Sequence, residues 1–394
     1  MVVHAYYPLG EPRVQREAAA ARDLGFEVTV LCLRADREPA RERLEGVHVR
    51  RVRLRHRRGA GLAVMLFEYL AFCSLASMWL GTQSVRRPFD VVHFHNPPDF
   101  LAVAGLLPRA RGSKLILDVH DLSSHMFAVR VAGALGSLVS KTLIWMERLA
   151  GRSVDKVITV HEPYRQELIR HGVPQNQVRV VMNSVDEAIL RKAAGMRPLI
   201  ERKAKFRAAY HGTLTSWYGT DLMVAAVAQL RAEGLDIDGV ILGDGDQLPS
   251  LKEQLIRTGL NDRLHLSSRY VPIESALATV ATADCGVIPN RPSQINRFAL
   301  SSKLFEYVAL GIPVVVSRLE TLATHFGPDE VTFFDPGNVA SLAAGLRWVY
   351  HHPDAARAKA ARARERARQY GWSQGRAELQ RVYDELLDVG ARGS

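Results

Sequence analysis

The densest group of chemically capable residues is Ser301-Ser302-Lys303-Leu304-Phe305-Glu306-Tyr307, followed by Gly311-Ile312-Pro313 and an apolar run. A serine ahead of such a segment is an N-cap. The free N–H groups of the helix it opens, with the positive end of the helix dipole, suit a diphosphate. Lys303 adds a full positive charge there. Glu306 is three residues on and shares its face, where a carboxylate can accept two hydrogen bonds from a ribose diol. An exposed helix with a local ion pair would carry the same Lys and Glu. The serine cap, the strand upstream and the Gly-Pro-strand downstream favour a site.

Other groups are weaker. Gly243-Asp244-Gly245 follows a strand pattern as a dinucleotide fingerprint does, but Leu248 stands where the third glycine belongs. His93 and His95 share a strand face, as either a metal pair or a hydrogen-bonded strand-end pair would. Asp236 with Asp238 and Asp244 with Asp246 are two-residue acidic matches, and no metal site is expected. His95-Asn96-Pro97-Pro98-Asp99 reads as a turn facing a cleft. Asp121 either orients His120 or caps a helix. Asn183 suits a turn at a crossover.

The elements that position these residues follow from hydrophobic patterning. Strands are expected at 26–33, 47–54, 90–95, 114–119, 155–160 and 178–182, with helices at 13–24, 62–80, 99–106, 136–152 and 162–171. The rhythm restarts with strands at 206–211, 238–242, 263–267, 284–288 and 312–316. Its helices are at 220–232, 247–258, 273–281, 302–310 and 339–351. The fold class is α/β: two doubly wound Rossmann-like domains facing across a cleft, with ligands outside the carboxyl ends of the strands. The domains are expected at 1–187 and 188–371. A hinge lies near 186–204, and a last helix, 372–394, packs back on the first domain.

The chain has 394 residues, 24% charged and 47% hydrophobic, which excludes a disordered or collagen-like chain. Its formal charge is +11, so anionic partners are expected. From Arg41 to Arg58 there are eight arginines and two glutamates. Beside an apolar helix, that run reads either as a solvated face or as a patch for an anionic membrane surface. Residues 62–80 approach spanning length, but Glu68 sits among them and arginines flank both ends, so a buried helix is expected. Cys32, Cys73 and Cys285 are widely spaced in apolar stretches, which fits a reducing cytoplasm. Met1-Val2-Val3-His4 runs into a strand pattern with no signal peptide expected. Nucleic acid is a poor fit, since no recognition helix or stacking platform is legible.

Several runs resemble the retaining glycosyltransferases of family 4, which have the GT-B fold. They are SSKLFEYVALGIPVVVS (301–317), YHGTLTSWYGTDLMVAAVAQL (210–230) and the segment 241–289 with its Gly-x-Gly turn. In the first half, 6–31, 90–102, 115–121, 154–168 and 180–186 match in order. The resemblance implies transfer of a sugar from a UDP- or GDP-linked donor, with no further cofactor, to a glycan or lipid-linked acceptor. By position, Glu306 binds the donor ribose, and Lys303 with the amides of Ser301, Ser302, Lys303 and Leu304 faces the diphosphate. Gly10 admits the donor phosphates. His120 lies by the transferred sugar and accepts a hydroxyl hydrogen bond. Gly212, Thr213 and Gly243 line the donor side, Tyr270 and Val271 flank the base, and His95, Asn96 and Asp121 lie on the acceptor side.

The chain also departs from the family pattern. Phe298 stands eight residues before Glu306, where an acidic residue is usual. Thr213 and Tyr218, beside Trp217, replace an Arg and a Lys that neutralise the leaving diphosphate. Lys303, Arg297, Arg291 or Arg13 would have to substitute, Arg13 being the best candidate from the first half. Two other readings stay open on these residues: a partner subunit that has lost activity, and a GT-B sugar-nucleotide epimerase or hydrolase.

Overall fold

A computed structural model describes residues 1–8, 11–56, 61–128, 133–182, 185, 187–267 and 271–387. The chain divides into two compact units, Met1–Asn183 with Ser373–Ser394, and Ser184–Trp372.

The first unit opens with β1 (Val2–Tyr6), α1 (Pro12–Asp23) and β2 (Thr29–Leu33), then β3 (Arg41–Leu44) and β4 (Val47–Val52). Next come α2 (Leu62–Arg86), β5 (Val91–His95), a 3-10 segment at Asp99–Gly105, α3 (Leu106–Ala110) and β6 (Lys114–Val119). It continues with α4 (Ser123–Ala128), α5 (Gly133–Ser153), β7 (Lys156–Thr159), α6 (Glu162–Arg170) and β8 (Val178–Val180). The eight strands run β3-β4-β2-β1-β5-β6-β7-β8, parallel except for the β3–β4 hairpin. The order reverses between β1 and β5, so the chain leaving these strands forms a crevice where such sheets bind ligands. Runs such as Val30–Leu33 and Leu115–Leu117 are wholly buried, as expected of parallel strands covered on both faces.

The second unit holds α7 (Glu187–Ala194), β9 (Phe206–His211), α8 (Thr220–Ala232), β10 (Ile237–Leu242), α9 (Leu248–Thr258) and β11 (Leu264–Leu266). It continues through α10 (Ile273–Val280), β12 (Cys285–Ile288), α11 (Gln294–Phe298), α12 (Ser302–Ala309) and β13 (Val314–Ser317). It ends with α13 (Glu320–His325), β14 (Thr332–Phe334), α14 (Val339–His351) and α15 (Pro353–Ala367). All six strands are parallel, in the order β11-β10-β9-β12-β13-β14, with the switch point between β9 and β12. Its core joins Tyr210, Met223, Ile241, Val287 and Leu346. The last helix, α16 (Trp372–Leu387), belongs to the first unit from Ser373 on. There Tyr383 hydrogen-bonds His93 Nδ1 at 3.2 Å.

The structure refines three expectations. The 41–58 run is not simply a solvated face, because its first part is the β3–β4 hairpin, closed by Glu45 and Gly46 at φ +47° and +87°, the two left-handed positions of a type I′ turn. Within it Arg51 is buried beside Glu38 and Glu42; Arg57 and Arg58 lie outside the described residues. The helix expected at 62–80 extends to Arg86 and is buried on one side only, with Phe67 and Met78 69% and 68% exposed. The hinge stretch contains α7.

Candidate active site

Lys303 lies in the first turn of α12, which the β12–β13 crossover places beside the carboxyl end of β9. Its Nζ sits 4.6 Å from the centre of the Tyr218 ring and 5.5 Å from that of Tyr210, both cation–π distances. Burial lowers its pKa, and Glu306 opposes the shift. No carboxylate forms an ion pair with it among the described residues. Gly212, at φ +121°, makes this packing feasible, since a Cβ there would stand 2.2 Å from Lys303 Cε. A Cβ on Gly243 would in turn meet the Gly212 carbonyl oxygen at 1.8 Å. The two glycines thus stack the β9 and β10 turns beneath the lysine.

Glu306 is held by His211. Its Oε2 accepts a 2.6 Å hydrogen bond from His211 Nε2, and His211 Nδ1 lies 3.1 Å from the Tyr307 hydroxyl. An ionised carboxylate can only accept, so His211 Nε2 carries a proton. Ser301 occupies the N-cap position, but its hydroxyl makes no capping bond and its buried Oγ has no partner. The Leu304 amide already donates to Ser301 O at 3.1 Å, which removes it from the four amides expected to face a ligand. Thr213 lends its carbonyl to Tyr210 Oη at 2.9 Å. Val271 precedes α10 and is half-buried. Gly10 and Tyr270 lie outside the described residues.

The replacement cations are mostly engaged. Arg291 binds both Asp221 oxygens, at 2.7 and 2.6 Å. Arg297 makes an exposed pair with Glu320 at 2.8 Å. Arg13 is buried and donates to Asp118 through Nε and Nη2 (2.7 and 2.9 Å) and to Val181 O. These pairings engage all three arginines, though the Arg297–Glu320 pair is exposed and weak; of the four candidates, Lys303 is the one with no carboxylate ion pair among the described residues. Phe298 is buried, with the Arg297 guanidinium 5.1 Å over its ring.

In the first unit the ends of β5 and β6 and the start of α1 build a second cluster. His120 Nε2 lies 3.0 Å from Asp118 Oδ2, and His120 Nδ1 lies 3.5 Å from Glu11. Burial alone would lower the His120 pKa, but Asp118 and Glu11 override it and raise it to about 10. Burial would likewise raise Asp118, yet Arg13 and His120 hold it well below the carboxylate range. The carboxylates of Asp118 and Glu11 thus favour the protonated form of His120. Asn96 sets the loop: its Oδ1 accepts from the His120 amide at 2.7 Å, and its Nδ2 donates to Asp99 and to Asp121 O. The Asp121 carboxyl is bonded by Tyr164.

His93 and His95 stack at 4.4 Å, and His95 Nδ1 lies 3.3 Å from Asp118. With Glu17 these residues bring potential metal ligands within 4.8 Å of one another. Arg13 is 3.1 Å from Glu17 and bound to Asp118, so a guanidinium already supplies the positive charge. His211, Tyr307, Glu17 and Asp118 escaped sequence reasoning. The available signals were local: His211 ends the strand before Gly212, and Asp118 shares a strand face with His120.

Comparison with known proteins follows the same division. The Glycosyl transferase 4-like domain family matches residues 10–184, and Glycosyl transferases group 1 matches 205–352. A glycogen synthase of Mycobacterium tuberculosis is 29% identical over 295 residues, 73% of this chain and 66% of that protein. The chain thus spans just under two thirds of that relative's length. Sucrose-phosphate synthase from Thermosynechococcus elongatus superposes with a TM-score of 0.74 at 17% identity, covering 95% of this chain and 92% of that one. Anabaena HepE, solved in complex with UDP-glucose, gives 0.69 at 14%, covering 98% of each. With both halves matched, this chain belongs to the family-4-like, group 1 glycosyltransferases, a family of EC 2.4 transferases with the GT-B fold.

Proposed function

We propose that the chain moves a sugar from a UDP- or GDP-linked donor to a glycan or lipid-linked acceptor, with retained anomeric configuration, on the cytoplasmic side of the cell. The observation that carries this is Lys303 at the open N-terminus of α12, held over Gly212 by two tyrosine rings. Breaking a glycosyl–phosphate bond concentrates negative charge on the leaving diphosphate, and a fixed cation with unpaired amides stabilises it where it forms. The partnerless Ser301 Oγ adds a donor at the same place. Glu306, braced by His211, takes the ribose hydroxyls. HepE, solved with UDP-glucose, supports a nucleotide-sugar donor. His120, held by Asp118, stands by the transferred sugar. The donor phosphate itself deprotonates the acceptor, so no side chain is assigned as nucleophile and no resident metal is needed.

The test is nucleotide release. Purified protein meets a panel of nucleotide sugars, with and without a cell lipid extract, and free UDP, GDP or ADP is measured. Release from one donor that rises with extract is the expected result. Release that ignores the extract points to hydrolysis or epimerisation. No release from any donor by folded protein favours the partner-subunit reading, for which the engaged Arg13, Arg291 and Arg297 are the specific support.

A further inference from the structure

The outer face of the first unit carries a surface the transfer chemistry leaves unused. On one side of α2, Phe72, Ala76 and Leu80 are buried. On the other, Leu66, Phe67, Leu70 and Met78 are 51–69% exposed. The one charged side chain between Leu62 and Val85 is Glu68, which is buried and bonded to His56 at 2.8 Å. The exposed face of this helix is therefore apolar or neutral for nearly its whole length.

Neighbouring segments extend it. α2 and α5 both pack on the Asp99–Gly105 segment, and α2 also packs on α3. A Cβ on Gly81 of α2 would stand 2.9 Å from Leu107. These segments are crossovers that step the same way along the sheet, from β4 to β5, β6 and β7, and right-handed crossovers in one direction share a face. Leu106 and Leu107 continue the apolar surface on α3, and Leu138, Trp145 and Leu149 do so on α5.

The charges decide the partner. On these segments the acidic residues, Glu68, Asp99 and Glu147, are all buried. The exposed charges are cationic: Arg86, Arg109, Lys141, Arg148 and Arg152. On α5, Leu138, Lys141, Trp145, Arg148, Leu149 and Arg152 recur at helical spacing along one exposed stripe. Two copies of this face would oppose like charges. An anionic lipid surface matches both components: apolar side chains enter the acyl boundary, Trp145 sits at headgroup depth, and Lys and Arg reach the phosphates.

We infer that the face formed by α2, α3 and α5 docks on an anionic bilayer, with α2 lying flat rather than spanning it. Its purpose rests on the lipid-linked acceptor proposed above; the surface argument does not. The test is flotation with phosphatidylcholine vesicles, with and without phosphatidylglycerol, and without nucleotide sugar. Wild-type protein is expected to float with the anionic vesicles and to be released by salt. Phe67→Glu with Met78→Glu should weaken binding about tenfold or more. Lys141→Glu with Arg148→Glu should weaken it on the order of fivefold per charge. All four sites are exposed, and an unchanged melting curve confirms folding. Equal binding by wild type and variants, or no binding by folded wild type, overturns the inference. So does a dimer that Phe67→Glu with Met78→Glu abolishes, which would give the face to a second copy. Nucleotide release onto a soluble glucan, measured on the same samples, reports the transferase reading separately.

Discussion

Lys303 owes its position to what Gly212 lacks. Two tyrosine faces attract the ammonium without neutralising it, and the absence of a Cβ lets its stem cross the β9 turn. A carboxylate partner would have spent the charge that a leaving diphosphate needs. Lys303→Ala should therefore lower turnover by roughly 10²–10³, the scale of one lost transition-state donor. Glu306→Ala should instead act mainly through donor KM, because ribose contacts persist from ground state to transition state. Steady-state kinetics on the donor found by the release assay separate the two, and near-wild-type rates in both variants would sink the assignment. Gly212→Ala is the sharper probe. Its methyl would displace Lys303 and hold an alanine at φ +121°, so turnover should fall as in Lys303→Ala while stability drops by about 1–3 kcal/mol. Loss of stability with full turnover would show that Lys303 does not need its present position.

At the scale of elements, α1 is defined by what it buries. Arg13 and Glu17, one turn apart, both enter the first unit's interior beside β5 and β6. Burial pushes the Glu17 carboxyl up to about 8; Arg13 opposes this and Asp118 adds to it. A group with a raised folded pKa contributes stability below its unfolded value that is lost as pH climbs through the folded one. For Glu17 the window runs from about 4.5 to about 8. Glu17→Gln should match wild type near pH 5 and melt a few degrees higher near pH 8.5; calorimetry at the two pH values checks this. The buried cluster also shows where reading the sequence stopped. Apolar runs such as Val30–Leu33, Leu115–Leu117 and Val314–Val316 announce strands because a doubly covered sheet demands continuous hydrophobicity. β3, Arg-Glu-Arg-Leu, is an edge strand held by its turn and carries no such signal. In the second unit, Lys303 and Glu306 were legible because helix-start chemistry is local. Arg13 sits beside a glycine loop, so its composition suits a phosphate equally well; its true partner is 105 residues away. The outer side of α2 was misread because length and apolar content are alike for a core helix and for one with a bare face.

At the scale of the whole molecule, each unit carries its own sheet and core, and the two candidate clusters are divided between them. The Arg13–Asp118–His120 cluster belongs to the first unit, and Lys303 and Glu306 to the second. Ligand and mutation should therefore act on different melting transitions. UDP or GDP at about 100 times its dissociation constant stabilises what binds it by about 2.7 kcal/mol and should raise the transition of the second unit by several degrees. Arg13→Ala leaves Asp118 buried without its guanidinium, a defect of about 3–5 kcal/mol, and should lower the transition that nucleotide leaves unmoved. Differential scanning calorimetry of wild type and Arg13→Ala, each with and without nucleotide, measures all four curves. If nucleotide raised and Arg13→Ala lowered the same single transition, the units would unfold as one cooperative block. Nucleotide that failed to stabilise Arg13→Ala, while stabilising wild type, would place Arg13 at the donor site despite its pairing with Asp118.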